Sequence, residues 1–179
     1  MTLVRPLQGR SEPVSGEAFR AAMRNLAAGV SIIASGQDED RRGLTVTAVT
    51  AVTSTPPTLA VFVNQSAEAH DVIKATNAFC VSVLATAHVA EATLFSGQHG
   101  LKGAIRFTPQ DWDSLVTGSP ALTSAVANID CELIDCIGLG SHTMFVGQVV
   151  AKRCDDGALP LLYLRAAYHK PTLLERPTE

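Results

Sequence analysis

From Leu44 to Ala67 the chain carries no charged side chain, a stretch long enough to cross a lipid bilayer as a helix. Any fold for this chain has to bury or pair that stretch. Its content argues against a helix, because it holds six Thr and the pair Pro56-Pro57 and ends polar at Asn64-Gln65-Ser66. β-Branched residues favour extended backbone, and neither proline can donate to a ladder. Two buried strands joined by a turn accommodate it, and no membrane span is expected. Thr45 and Thr47 share one face of the first strand, but the next threonines are Thr50 and Thr53, so the period of two slips between Thr47 and Thr50. Such a slip signals a bulge or bend, a device common beside binding sites. Pro56-Pro57 is expected to end the strand, and Leu59 to Val63 to form the next.

Around this segment the pattern alternates short strands with few helices. Phe19, Ala22, Met23, Leu26, Ala27 and Val30 fall at helical spacing, which predicts an amphipathic helix over Glu17 to Ala28 with Gly29 as its stop. Val30 to Ala34 reads as a strand that returns through the charged loop Gln37–Gly43 into the Thr-rich strand, a hairpin. Ala67 to Thr76 and His88 to Phe95 read as helices, and Ser119 to Ala127 as a helical turn with Pro120 at its first position. Further strands are expected at Phe79 to Ala85, Ile129 to Ile137, Thr143 to Arg153 and Leu161 to Leu164. Many short strands with peripheral helices predict a mainly β (α+β) fold, a closed or half-closed barrel and not a doubly wound sheet. No linker or repeat divides the chain. Residues 1–14 are expected to be an N-terminal extension and 15–179 one domain.

Composition excludes several classes. With 179 residues, 46% of them hydrophobic, the chain can bury a core as one domain. A net charge of -3 with scattered Lys and Arg argues against a nucleic-acid partner. Met1 to Pro13 has no apolar segment of the kind a secretory signal needs. Cys80, Cys131, Cys136 and Cys154 form no CxxC pair and have no His at zinc-site spacing, so a reduced, cytoplasmic setting is expected. Cys80 reads as a core residue, and Cys131 and Cys136 should face opposite ways on their strand.

The familiar nucleotide and hydrolase motifs are missing. No GxGxxG follows a strand, no Walker loop exists, and Gly138-Leu139-Gly140 lacks the third glycine. No GxSxG elbow and no paired carboxylates point to hydrolysis, and the five His share no metal spacing. On these grounds alone the chain is a β-rich domain with a polar, Thr-lined strand.

The run Gly43-Leu44-Thr45-Val46-Thr47-Ala48-Val49-Thr50-Ala51-Val52-Thr53-Ser54-Thr55-Pro56-Pro57 resembles the flavin-binding segment of the short-chain flavin reductases. These are the small reductase components of two-component flavin monooxygenases. The likeness continues, in the family's order, through Val63-Asn64-Gln65-Ser66 and His70, Leu94-Phe95-Ser96-Gly97, Arg106-Phe107, Gly118-Ser119-Pro120, Gly140-Ser141-His142 and Tyr168-His169. Within the family it is similar to the reductases that serve 4-hydroxyphenylacetate 3-monooxygenase. The resemblance implies an FMN-binding split β-barrel, normally a homodimer. It also implies an enzyme that transfers a hydride from NADH or NADPH to FMN or FAD and supplies reduced flavin to a partner monooxygenase.

The resemblance also assigns roles. Thr45, Thr47, Ala48 and Val49 would line the isoalloxazine, with Ala51, Thr53 and Ser54 continuing that contact; the alternative is an ordinary β-branched barrel strand. Asn64 and Ser66 would meet the ribityl chain or phosphate at a helix N-terminus, or else simply form the turn. Ser96, Gly97 and Arg106 are further candidates for the phosphate side, Arg106 being equally readable as a surface charge. His142 is the catalytic candidate, packing on the dinucleotide or donating a proton, with a structural histidine as the alternative. Tyr168 is a further nicotinamide contact. Two positions depart from the family: Ala51 stands where Ser is usual, and Gln65 where a basic residue is often found. Hydride transfer needs chiefly proximity and alignment, so the shortage of acid–base constellations is what such a reaction entails. Rival readings are a flavin-dependent reductase of a corrin cobalt or other metal centre and a non-catalytic flavin-binding module. An oxidase of the pyridoxamine-phosphate type lacks its basic phosphate pattern here.

Overall fold

The computed structural model describes residues 12–97, 100–172 and 174. In chain order its elements are α1 (Gly16–Met23), β1 (Ala28–Gly29), β2 (Ser31–Ser35), β3 (Arg42–Val46), β4 (Val49–Ser54), β5 (Pro57–Asn64), α2 (Glu68–Thr76), β6 (Ala78–Val83) and α3 (Val89–Phe95). There follow β7 (Trp112–Ser114), β8 (Pro120–Leu122), β9 (Ala127–Leu139), β10 (His142–Cys154), β11 (Leu162–Leu164) and β12 (Ala167–His169). The fold is mainly β, as the pattern predicted. The uncharged run is two strands and their turn, and among the described residues no helix is long and apolar enough to cross a membrane.

The main sheet has seven strands in the order β3-β2-β6-β9-β10-β5-β4, with every pairing antiparallel. Its two edge strands, β3 and β4, are consecutive in the chain, with only Thr47 and Ala48 between them. Strands lie about 4.8 Å apart, so a flat sheet of this size would separate its edges by about 29 Å. Three Cα steps from Val46 to Val49 span at most about 11 Å. The sheet must therefore curl until its edges nearly meet. The edges stay unpaired with each other, and the result is a split barrel.

Alternate residues of β2 serve two cores, which is why the whole strand is buried. Ile33 joins Val61, Val63, Phe79, Phe145 and the inner side of α2, while Ile32 and Ala34 join Leu84, Phe95, Phe107, Trp112 and Leu122. In the second core Phe95, Phe107 and Trp112 pack mutually at 4.8–5.4 Å between ring centres, which anchors the loop after α3. Gly43 is needed for this packing: a Cβ there would lie 3.0 Å from Phe95 and 3.1 Å from the Ile33 carbonyl.

Several elements differ from expectation. Helix α1 ends at Met23 and not at Ala28, because the Asn25 amide and side chain bond back to Ala22 and Ala21 and the chain must then extend. Gly29 is not a helix stop but part of β1, which pairs with β11. Pro57 opens β5 where it was expected to close a strand, a first position at which proline is tolerated. Pro120 to Leu122 is strand β8 paired with β7, so the helical turn read from Ser119 to Ala127 is absent. The threonine slip falls at the Thr47–Ala48 break between β3 and β4. Cys80 and Cys131 are buried, and Cys136 is exposed.

Candidate functional site

Two cavities flank the break between β3 and β4. The first, about 340 Å³, is walled by Gly43 to Thr45, by Ser66 to Glu68 at the start of α2, and by the loop after α3 through Ser96, Gly97, Lys102 and Arg106. Helix α2 begins at Ala67 without a side-chain cap, so its first amides have no capping side chain. An uncapped N-terminus with the positive end of the helix dipole attracts an anion, and Arg106 and Lys102 add full charges beside it.

Arg106 is held in place from several sides. Its Nη2 donates to Glu68 Oε2 at 3.1 Å, and its guanidinium lies 4.8 Å over the Phe95 ring. Glu68 Oε2 also accepts the Gly103 amide at 3.2 Å. Burial pushes the Arg106 guanidinium below its usual range, while Glu68 opposes that and nearby Arg42 adds to it. An arginine remains charged through such a shift. Lys102 lines the same cavity. Gln65 instead joins the end of β5 to the β9–β10 hairpin, its backbone N–H donating to the Ser141 carbonyl at 3.0 Å.

The second cavity, about 480 Å³, lies between α1, the Thr47–Ala48 break and the β11–β12 hairpin. Met23, Leu26, Tyr163 and Leu164 give it an apolar lining, and Arg20, Arg24 and Arg165 stand around it. Thr47 and Ala48 are exposed and form part of its wall.

The residues marked in the sequence are thus distributed unevenly. The Thr45 hydroxyl donates to the Ala92 carbonyl at 2.7 Å, so its backbone and not its hydroxyl is left for a ligand. Val49 packs partly against the core. Ala51, Thr53 and Ser54 lie exposed on edge strand β4 and line neither cavity, and Thr53 Oγ1 accepts the Thr55 amide within the turn. Asn64 Oδ1 accepts both the amide and the hydroxyl of Ser66 at 2.9 Å, which fixes Ser66 at the mouth of α2. Ser96 donates to the Thr93 carbonyl, and Gly97 takes a positive φ of 82° that suits glycine.

His142 is exposed at the start of β10, directly opposite Asn64, with Nδ1 3.0 Å from Ser141 Oγ. It lines neither cavity. Phe62 donates its amide to the Ala48 carbonyl and pairs with Met144, two residues along the same strand from His142. Tyr168 packs behind Tyr163, ring centres 5.4 Å apart, and supports the second cavity without entering it. Sequence reasoning missed Glu68, Lys102 and the three arginines of the second cavity. Arg20 and Arg24, four apart on the predicted helix (Arg24 caps α1), were the available signal.

A split barrel with a basic pocket beside its seam suits a phosphate-bearing ligand, and comparison with known proteins gives the class, the flavin reductases. Residues 23–172 match the model of the flavin reductase like domain, and the chain belongs to that family. It is a flavin reductase, an oxidoreductase. It is 37% identical to the FMN reductase (NADH) RutF of Pantoea ananatis over 92% of this chain and 85% of that one. It is 39% identical to the FMN reductase (NADH) RutF of Stutzerimonas stutzeri over 89% of this chain and 90% of that one. Among solved structures it is similar to the NADH:FAD oxidoreductase SgcE6 of Streptomyces globisporus (25% identity, 94% and 100% covered, TM-score 0.81). The styrene monooxygenase flavin reductase of Pseudomonas putida S12 also superposes (26% identity, 88% and 99% covered, TM-score 0.77).

Proposed function

We propose that this chain is an NADH:FMN oxidoreductase that supplies reduced flavin to a partner monooxygenase. The observation that carries the reading is the first cavity: an uncapped helix start, Ser66, Arg106 and Lys102 converge on a space walled on its other side by Gly43 to Thr45 of β3. These groups fit a phosphate at one end and a flat ring at the other. Arg106, Lys102 and the α2 amides would hold the phosphate, with Ser66, Ser96 and Gly97 shaping its surroundings. The backbone of Thr45 to Val49 would face the polar edge of the ring. Bound flavin supplies the hydride-accepting ring system. His142, which pairs with Asn64 across β10 and β5 but lines neither cavity, would hand on a proton only with bound flavin extending to it. The names of the relatives support NADH and FMN, and FAD and NADPH are the alternatives to be assayed.

A second copy of the chain belongs to this proposal. Val52 on edge strand β4 is 56% exposed in one chain, and Ile134, Ile137 and Leu139 on the inner strand β9 are 42–54% exposed. A homodimer would cover them and would enclose Ala51, Thr53 and Ser54. Residues 15–179 would act as one reductase domain, with 1–14 as an extension, in the cytoplasm. The test is an oxidation assay crossing NADH and NADPH with FMN, FAD and riboflavin. Flavin-dependent oxidation with a preference for NADH and FMN is expected, and no oxidation in any combination refutes the reading.

A further inference from the structure

We propose that Glu68 is a specificity-determining residue of the first cavity: its carboxylate competes with the flavin phosphate for Arg106 and so holds down the affinity for phosphorylated flavins. The inference rests on the reductase reading above and assigns to that site a residue that opposes its ligand.

A carboxylate in an anion pocket is the observation to be explained. Three charged side chains line the cavity, the cations Lys102 and Arg106 and the anion Glu68. Glu68 Oε2 accepts from Arg106 Nη2 at 3.1 Å and from the Gly103 amide at 3.2 Å. Arg106 Nε turns to the Gly103 carbonyl at 3.5 Å, so Nη1 is the guanidinium nitrogen left without a protein partner among the described residues. Glu68 also stands in the first turn of α2, which starts at Ala67 without a side-chain cap. It is therefore drawn to the same positive helix end that attracts an anion.

Burial makes the competition reversible. The Arg106 side chain is 5% exposed, and its guanidinium lies 4.8 Å over the Phe95 ring. A cation so placed requires a counter-ion, and within the chain Glu68 is that counter-ion. The Glu68 side chain is 34% exposed, so its carboxylate can turn to water when a phosphate arrives and take Arg106 back when the phosphate leaves.

Charge then sorts the ligands. The monoester phosphate of FMN carries about −1.5 to −2 near neutrality, more than either phosphate of FAD, and riboflavin carries none. Two anions that share one guanidinium lie within the about 4–6 Å over which neighbouring charges act strongly on each other. Glu68 accordingly penalises FMN most, FAD less and riboflavin not at all. Discrimination of this kind is a difference of affinities set by a repulsive group. Its effect falls mainly on the dissociation rate, the quantity that governs how readily flavin is handed on.

The experiment uses the full chain and the variants Glu68→Gln and Glu68→Ser. Glutamine keeps an acceptor for the Gly103 amide, and serine removes the charge through a side chain suited to a helix start. Flavin fluorescence titrations give dissociation constants for riboflavin, FMN and FAD, and stopped-flow competition gives the FMN dissociation rate. In both variants the preference for FMN over riboflavin is expected to rise about tenfold or more, with a smaller rise for FAD. In Glu68→Gln, FMN itself should bind tighter and dissociate more slowly, while riboflavin stays within about twofold of the parent. Thermal unfolding gives an independent readout: FMN should raise the melting temperature of Glu68→Gln by more than that of the parent, because a buried Arg106 without its carboxylate gains more from an anion. A preference for FMN that is unchanged or reduced in both variants overturns the proposal, and so does an equal tightening of riboflavin. Failure of the reductase reading looks different, since the parent protein itself would then show no flavin-dependent oxidation of either nucleotide.

Discussion

Arg106→Gln separates a phosphate-binding role from a merely structural one. The side chain is buried, lies against Phe95 and pairs with Glu68, so replacing it removes a charge facing the anion pocket and a cation on an aromatic face. A charge-assisted hydrogen bond to phosphate contributes about 1.5–3 kcal/mol, which corresponds to about a ten- to hundred-fold weaker FMN dissociation constant. The stability cost is smaller than for a fully buried pair, where removing one partner costs about 3–5 kcal/mol. The Glu68 side chain is 34% exposed, so water can compensate its carboxylate. Losing the cation over Phe95 adds about 0.5–1 kcal/mol.

Riboflavin lacks the phosphate and makes the measurement selective. Flavin fluorescence titrations should show Arg106→Gln weakening FMN at least tenfold while riboflavin affinity stays within about twofold. Arg106→Lys should recover part of the loss, because it restores charge without the planar fork. Equal weakening of FMN and riboflavin would mean that Arg106 only holds the loop, and an unchanged FMN affinity would falsify the phosphate assignment outright.

His142→Ala is expected to slow flavin reduction about tenfold or more, about 1.4 kcal/mol in the transition state, with FMN affinity unchanged. Stopped-flow reduction with pre-bound FMN checks this, and a loss of FMN binding instead would assign His142 to the cofactor. Light scattering should give twice the 18.8 kDa chain mass at micromolar concentration, and a stable monomer would sink the dimer. Burial raises the Cys80 thiol pKa, with Asp130 adding to it, and burial pushes Cys131 up to about 12, so neither forms a thiolate near neutrality. An aromatic disulfide reagent should therefore titrate the exposed Cys154 rapidly in the native protein and Cys80 and Cys131 only after denaturation.

Local physics explains which parts were legible in the sequence. The slip between Thr47 and Thr50 marked the seam of the barrel, because a change of register leaves a direct trace in side-chain alternation. The strands β5, β6, β9 and β10 were equally plain from their apolar runs. Ser119 to Ala127 misled because Pro120 suits a helix start, yet pairing with β7 decides its structure, and that partner lies elsewhere in the chain. Strands β7 and β12, three residues each, are too short to show a period. Around the site, Asn64, Ser66 and Arg106 stood out by residue type. The Glu68–Arg106 pair and the meeting of Arg24 with Arg165 arise from tertiary contacts, and one-dimensional spacing holds no record of them.

On the proposed reading, the seam would let the fold hold flavin with few specialised side chains. In a fully closed barrel every strand is paired on both sides, and its backbone amides and carbonyls are consumed by the ladder. Here, among the described residues, β3 pairs only with β2 and β4 only with β5, so both edge strands keep a row of unpaired backbone donors and acceptors. A ring system with donors and acceptors along one edge can satisfy that row as another strand would. Side-chain identity then matters less than size, which fits Ala48 and Ala51 as well as threonine. The same unpaired edge would be an aggregation hazard in an isolated chain, and the exposed Val52 aggravates it. The proposed homodimer would remove that hazard by covering β4. On this reasoning a charged residue at Val52, as in Val52→Lys, should dissociate the dimer and weaken flavin binding together, because one edge serves both. Sedimentation velocity and an FMN titration on the same sample test it: dissociation with FMN affinity unchanged would show that each chain holds its flavin alone.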